Sequence, residues 1–221
     1  MPRNKYPEET VKKILDTSLK LFLEKGYEQT TVLDIVENLG GLTRGAFYHH
    51  FKTKEEVLIA IFDRDDSEYS NDSYQKAKDA DMTNGLERVK FFIRYELLKN
   101  IESEHHSAMT NLGLPLLSNP RFLAEIIKNN QAQANIFVPF IEEGIADGSI
   151  KPCNPNFIAE LGLLLINFWL IPSVFPCDRE QSLEKIAFIK QIFEGIGVPI
   201  IDEDITEILS RVFDSIDWHK T

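Results

Sequence analysis

The sequence predicts an all-α protein: a short three-helix head at the N-terminus, followed by a larger helical body. Three observations carry that prediction. Apolar residues recur at helical spacing along most of the 221 residues, and no strand-like alternation competes with them. Capping residues and glycines punctuate the first quarter of the chain closely enough to mark three helices in succession. Charge divides at the same place. Residues 1–54 hold nine Lys/Arg and seven Asp/Glu, a net of +2, whereas 55–221 hold 15 and 28, a net of −13. The domains are therefore drawn at 1–54 and 55–221.

The elements follow in order. Val11, Ile14, Leu15, Ser18, Leu19 and Phe22 form the stripe of an amphipathic first helix, with Pro7, Glu8 and Glu9 in its first turn and Gly26 at its end. A second runs from about Val32 to Leu39, with Thr31 as N-cap and Gly40-Gly41 as stop. A third covers Arg44 to Phe51 behind Thr43. Thr53-Lys54-Glu55-Glu56 reads as a capping box that opens a fourth, with Val57, Leu58, Ile61 and Phe62 on its apolar face. Residues 67–84 are polar and irregular and are expected as the end of that helix and a loop. Leu86, Val89, Ile93, Leu97 and Ile101 mark the next helix. Phe122 to Asp147 forms another, which Pro139 is expected to kink or split. Phe157 to Ile171 is apolar nearly all round and is expected to be buried on most sides, in the body or at an interface. Leu183, Ile186, Ala187, Lys190 and Phe193 mark a further stripe. The last comprises Ile205, Ile208, Leu209, Val212, Phe213 and Ile216.

Composition excludes several classes. Hydrophobic residues at 43% and charged residues at 27% are ordinary for a globular chain and argue against disorder. The first residues lack the apolar core of an export signal, and the longest apolar stretch is too short to span a bilayer. A cytoplasmic protein without membrane association is expected, with Cys153 and Cys177 as reduced thiols. No HExxH, CxxC or glycine-rich phosphate loop occurs, and Glu102 with His105 makes a single ExxH where a di-metal carboxylate bundle needs two. No enzyme, metal or cofactor is expected.

Three short helices, the second and third joined by a glycine-containing turn, fit a helix-turn-helix that binds DNA. A recognition helix must expose its N-terminal turn and be pinned from behind. Phe47 and Phe51 lie four apart and face the core, which leaves Thr43, Arg44, Ala46, Tyr48, His49 and His50 outward. Gly45 and Ala46 remove bulk where backbone meets duplex. Arg44 suits a bidentate contact with guanine. Lys52, just after the helix, is a further DNA-binding candidate. Tyr48 also admits a reading as core packing, and Arg44 and Lys54 one as solvated charges. His49 and His50, adjacent on a helix, point about 100° apart, which argues against a metal pair.

The run TTVLDIVENLGGLTRGAFYHHFKTKEEVL, preceded by FLEKGY, resembles the tetracycline-repressor (TetR) family of bacterial regulators. The matching positions are Thr31, Ile35-Val36, Gly41-Leu42-Thr43, Gly45, Phe47, Tyr48, His50-Phe51, Lys54 and Glu56, in a match that runs from Phe22 to Leu58. Two features depart from the family pattern: Val36 stands for the usual alanine, and Leu39-Gly40-Gly41 lengthens the turn by about one residue. The resemblance implies that Thr31, Tyr48, His50 and Lys54 touch phosphates and that Arg44, Ala46 and His49 read base edges. Arg3 and Lys5 would serve as an arm toward backbone or minor groove.

The resemblance also implies a homodimer on a palindromic operator, and a body that dimerises and encloses a small-molecule effector. Helices 157–171, 183–194 and 205–216 are the dimerisation candidates. Phe92, Tyr95, Met109, Phe137, Phe168 and Trp169, with Phe91 and Phe140, either line a cavity or form plain core; Asn167 beside Trp169 would add a polar foot. Glu102, Glu104, His105 and His106 are a metal or pH-sensitive element, or the solvated end of a helix. The expected function is therefore a dimeric repressor released from its operator by a ligand. The alternative is the same fold answering to a partner protein or to no ligand.

Overall fold

Ten α-helices, one 3-10 segment and one π-helical turn make up the computed structural model, which describes residues 7–214 and the side chains of all of these but 7, 66–71, 100, 106 and 118. Among the described residues there is no strand. Ile216 lies outside them.

Helix α1 (Pro7–Lys25) carries Glu8 and Glu9 in its first turn, where carboxylates meet the positive end of the helix dipole. It buries Ile14, Leu15, Ser18 and Phe22, the stripe read from the sequence. Helices α2 (Val32–Asn38) and α3 (Arg44–His50) follow as seven-residue pieces, and Thr31 and Thr43 are their N-caps.

Helix α4 (Lys54–Asp79) departs most from the sequence reading. The polar stretch expected to hold the end of the helix and a loop stays helical to Asp79, so the loop is only residues 80–84, before α5 (Gly85–Glu102). Tertiary contacts explain the extension. Ser73 and Ala77 are fully buried, and Tyr74 stacks on Phe140 with ring centroids 5.2 Å apart. The guanidinium of Arg88 donates to the carbonyls of Ala77, Lys78 and Ala80 at 2.6, 2.9 and 3.1 Å, which satisfies the acceptors that the end of α4 leaves open. At the start of α4, Thr53 Oγ1 accepts from Glu56 N at 3.2 Å, but the Glu56 carboxylate accepts from Lys52 N at 2.7 Å. The expected reciprocal box therefore closes one residue ahead of the cap.

Helix α5 ends at Glu102, and Glu104 and His105 begin a separate helix, α6 (Glu104–Gly113). A 3-10 segment (Leu114–Ser118) leads to α7 (Pro120–Asp147). Pro139 does not split α7. Both it and Asn135, whose carbonyl loses its donor, lie on the exposed face. At the end of α7, a Cβ on Gly85 would sit 2.1 Å from Gly144 N, so the α5 and α7 backbones touch where only glycine fits.

Helix α8 (Pro155–Leu164) passes into a π-helical turn (Leu165–Trp169), followed by α9 (Arg179–Gly195) and α10 (Glu203–Asp214). The α9 stripe is shifted from the sequence reading: Ser182, Ile186, Ile189 and Phe193 are buried, while Ala187 is exposed. Helix α10 buries Ile205, Ile208, Leu209 and Phe213 and packs on α5. Its apolar face is thus used inside the subunit.

Two cores result. One joins α5, α7, α8, α9 and α10. The other joins α1, α2, α3 and the first turns of α4, and is closed from the body side by Met109 and Phe122. Helix α4 belongs to both, so the three-helix head is backed by α4, α6 and the start of α7.

Candidate nucleic-acid interface

The placement of α3 begins with α2. Thr31 Oγ1 accepts from Asp34 N at 3.1 Å, and the Asp34 carboxylate accepts from Thr31 N at 2.7 Å, a closed capping box. Lys25 donates to Asp34 at 2.8 Å and, with Thr31, holds that carboxyl well below the usual range. The α2 entry is therefore tied to the end of α1. The Thr31 hydroxyl also donates to Asp34 at 2.6 Å, so any phosphate reaching Thr31 competes with its own cap.

The turn from α2 to α3 runs through Leu39, which is fully buried, and through Gly40 and Gly41 at φ +54° and +97°. Two successive left-handed residues reverse the chain at low cost only if both are glycine. This accommodates the lengthened turn and still delivers Thr43 as N-cap, its Oγ1 accepting from Ala46 N at 3.2 Å.

Helix α3 is pinned through Phe47, which has no exposed surface and lies 6.3 Å from Phe51 between ring centroids. With that residue inward, Thr43, Arg44, Gly45, Tyr48 and His49 are exposed, and Ala46 and His50 are half-buried. Tyr48 keeps 42% of its surface, which separates it from core packing. The Arg44 guanidinium lies 5.5 Å from the Tyr48 ring centroid and shares its face of the helix. Gly45 could carry a Cβ without clash, the nearest atom being Thr43 Oγ1 at 3.7 Å. Nothing within the chain requires glycine there.

His49 and His50 stand edge to face at 5.0 Å. Burial, then the neighbouring His49, pushes the His50 pKa down, and His50 Nε2 is enclosed with no hydrogen-bond partner. Lys52 is exposed. Lys54 is committed elsewhere: its ammonium donates to the carbonyls of Tyr27 and Glu28 at 2.8 and 3.3 Å and sits 4.3 Å from the Tyr27 ring centroid. Burial, with Glu55 and Glu28, raises the Tyr27 pKa to about 12, so the ring stays neutral beneath that cation. Lys54 thereby clamps the start of α4 to the turn after α1, an anchoring role not legible in its spacing. Arg3 and Lys5 lie outside the described residues.

A second feature lies in the body. A cavity of about 320 Å³ opens between α4, α5, α6, α7 and α8. Phe92, Met109 and Phe137 line it, as does Asn167, whose amide donates to Asn130 at 2.8 Å. Tyr95, Phe168 and Trp169 stand outside the lining. Tyr95 donates to Asp72 at 3.0 Å, Phe168 is buried in the core, and Trp169 packs edge-on against Phe188. Sequence reasoning missed Phe62, Asp65 and Glu96 on the wall, because the first two come from α4, and only packing shows which side of α4 faces the body. Outside the cavity, Phe157, Leu161 and Leu164 are exposed by 67, 38 and 46% in one line along α8, and Phe188 of α9 by 52%.

Residues 14–61 match the model of the tetR family of bacterial regulatory proteins. The HTH-type transcriptional repressor KstR2 of Mycobacterium tuberculosis is 31% identical over 145 residues, which cover 63% of this chain and 68% of that protein. The HTH-type transcriptional regulator YhgD of Bacillus subtilis is 29% identical over 196 residues, covering 85% and 95%. Among solved structures, a TetR-family transcriptional regulator from Pectobacterium atrosepticum superposes with a TM-score of 0.61 at 22% identity, over 89% of this chain and 98% of that one.

Proposed function

Since the chain belongs to the tetR family of bacterial regulatory proteins, we propose that it is a cytoplasmic homodimeric repressor that sits on a palindromic operator and leaves it when a small molecule fills the body cavity. The observation that carries the proposal is the outward face of α3. Arg44, Gly45, Tyr48 and His49 are exposed together on a helix whose Phe47 is wholly buried. In this reading Arg44, Ala46 and His49 meet base edges, while Thr43, Tyr48, His50 and Lys52 meet phosphates. Gly45 lets the backbone come close. Lys54 and Thr31 contribute mainly by fixing the geometry, since both already hold partners inside the chain.

One short recognition helix reads few bases, and a two-fold pair doubles the contacts. Phe157, Leu161 and Leu164 of α8, with Phe188 of α9, supply the apolar surface for that pair. Two helices from each subunit make a four-helix interface.

The cavity favours control by a ligand over control by a partner protein. Phe62, Met109 and Ile126 line the cavity and also pack in the core of the head. A ligand pressing on them displaces α4 and α6 against α1 and changes the spacing of the two heads. It acts by preferring one of two arrangements.

Fluorescence anisotropy with the protein's own upstream DNA, across a salt series and beside Arg44→Ala, tests the reading. Specific binding should weaken as salt rises, and the variant should lose about 1–3 kcal/mol of discrimination while melting like the parent. Equal binding to random DNA by both proteins would refute the assignment of Arg44.

A further inference from the structure

We infer that the body cavity selects a compact neutral molecule, apolar but for one carboxamide or hydroxyl, which Asn130, Asn167 and Gln133 hold by donating and accepting at once. The inference rests on the ligand-controlled reading above and names the chemistry of the effector.

It starts from which polar groups of the wall already have partners. Ser73 and Lys99 act on the Glu96 carboxyl, and Asp65 pairs with His105 at 2.9 Å. Asn129 donates to Asp63 at 2.7 Å. These groups are held inside the chain and call for no counter-ion from a ligand. The other carboxamides differ. Asn167 donates to Asn130 at 2.8 Å, and beyond that single bond neither side chain has a hydrogen bond among the described residues. Gln133, three residues after Asn130 on α7, lines the same wall, and its side chain has no hydrogen bond among them either.

A carboxamide has two N–H donors and an oxygen with two lone pairs. One bond between two carboxamides uses one donor and one acceptor site. Whichever way either amide plane is turned, the pair therefore still offers both kinds. Asn130 keeps only 5% of its surface, so what fills the cavity decides whether those sites are met. Asn167 lies in the π-helical turn, where Leu170 N donates to Leu165 O at 3.0 Å, five residues back. Single turns of this kind are rare and recur at functional sites. Phe92, Phe137, Met109 and Ile126 make the wall around the amides apolar. The volume, about 320 Å³, is the space of about ten waters at ~30 Å³ each, which suits a ligand of about ten non-hydrogen atoms.

These facts rank the head groups a ligand could bring. A carboxamide or a hydroxyl answers donors and acceptors alike. A ketone or a carboxylate only accepts and an ammonium only donates, so each leaves sites of one kind unmet. The two ions also give up their hydration on entering.

The test is calorimetric titration of the full-length protein with octanamide, octanol, 2-octanone, octanoate and octylammonium, which are close in size. Octanamide and octanol should bind at least about fivefold more tightly than 2-octanone, and about tenfold more tightly than either ion. Asn130→Leu with Asn167→Leu, checked for folding by its thermal melt, should bring octanamide down to the level of 2-octanone. Gln133→Met, similar in shape at a half-buried position, should narrow the same gap and keeps the test decisive if the double variant does not fold. Either ion or 2-octanone binding as tightly as octanamide, or no binding of octanamide and octanol, overturns the proposal, as does a preference that survives the double variant. Operator affinity measured in parallel separates the two readings. Amide-dependent binding of octanamide that leaves operator affinity unchanged upholds the neutral site and refutes ligand control. Release of operator by octanoate or octylammonium but not by octanamide refutes the neutral site and upholds ligand control.

Discussion

At the scale of single residues, the same side-chain type performs opposite tasks in neighbouring places. Arg44 and Lys52 are exposed, whereas Lys54, two residues on, is held by two backbone carbonyls and an aromatic face. A lysine whose task is a phosphate contact can be removed without loss of stability. Lys54→Met should instead destabilise the protein by about 1 kcal/mol, a charged hydrogen bond discounted for partial exposure. Thermal denaturation checks this, and an unchanged midpoint with a salt slope reduced by about one would return Lys54 to the phosphate-binding set. Thr31 teaches the same lesson. The sequence marks it as a cap and the family resemblance as a phosphate ligand, but only the structure shows its hydroxyl donating to Asp34.

At the scale of elements, helix existence was legible and helix employment was not. The stripes of α1, α5 and α10 are visible as periodicity because each buries one face against one neighbour. Only the first turns of helix α4 were, since its outer half is polar and is kept helical by Tyr74, Ala77 and the guanidinium of Arg88 reaching back from α5. Helix α8 is apolar on every side for two reasons at once. Ile158 and Ala159 face the core, while Phe157, Leu161 and Leu164 face outward. Phe157 and Leu164 keep 67 and 46% of their surface, so Phe157→Glu with Leu164→Glu should yield a helical monomer. Sedimentation beside circular dichroism checks it: a dimer that persists would move the interface elsewhere, and lost helicity would show that α8 needs the face to fold.

At the scale of the whole molecule, the two groups of carboxyls respond to pH in opposite senses. Hydrogen bonds and charges hold Asp34, Asp147 and Asp214 below the usual range, chiefly through Lys25, Ser149 and Arg179 respectively. Such groups stabilise the fold above their unfolded pKa near 4, and that contribution is lost as pH falls through their depressed folded values. Glu96 is raised, mainly by burial. Its contribution is complete below its unfolded pKa and is lost as pH rises through the folded one. The melting temperature of the parent should therefore drop steeply below about pH 4. As pH rises from about 4.5, the ordinary glutamate value, it should decline relative to Glu96→Gln. Parallel melts across that range check both slopes, and a difference that does not change with pH would mean that the Glu96 pKa is not raised by folding.

The sequence by itself determined the class of this protein. Helical periodicity, threonine caps, the Gly40-Gly41 turn and the run from Thr43 to Phe51 are local features, set by side-chain chemistry within a few residues of each other. That is why the three-helix head and its outward face were readable before any contact was known. Tertiary structure alone decided which apolar residues are core, cavity wall or exposed surface. Phe92 borders a cavity while Phe168 fills a core and Phe157 meets solvent. The three are chemically identical, and their roles differ only in which neighbour the fold places against them. The make-up of the cavity wall has the same origin, because Asp65 and Glu96 lie on different helices and come together only when α4 packs on α5.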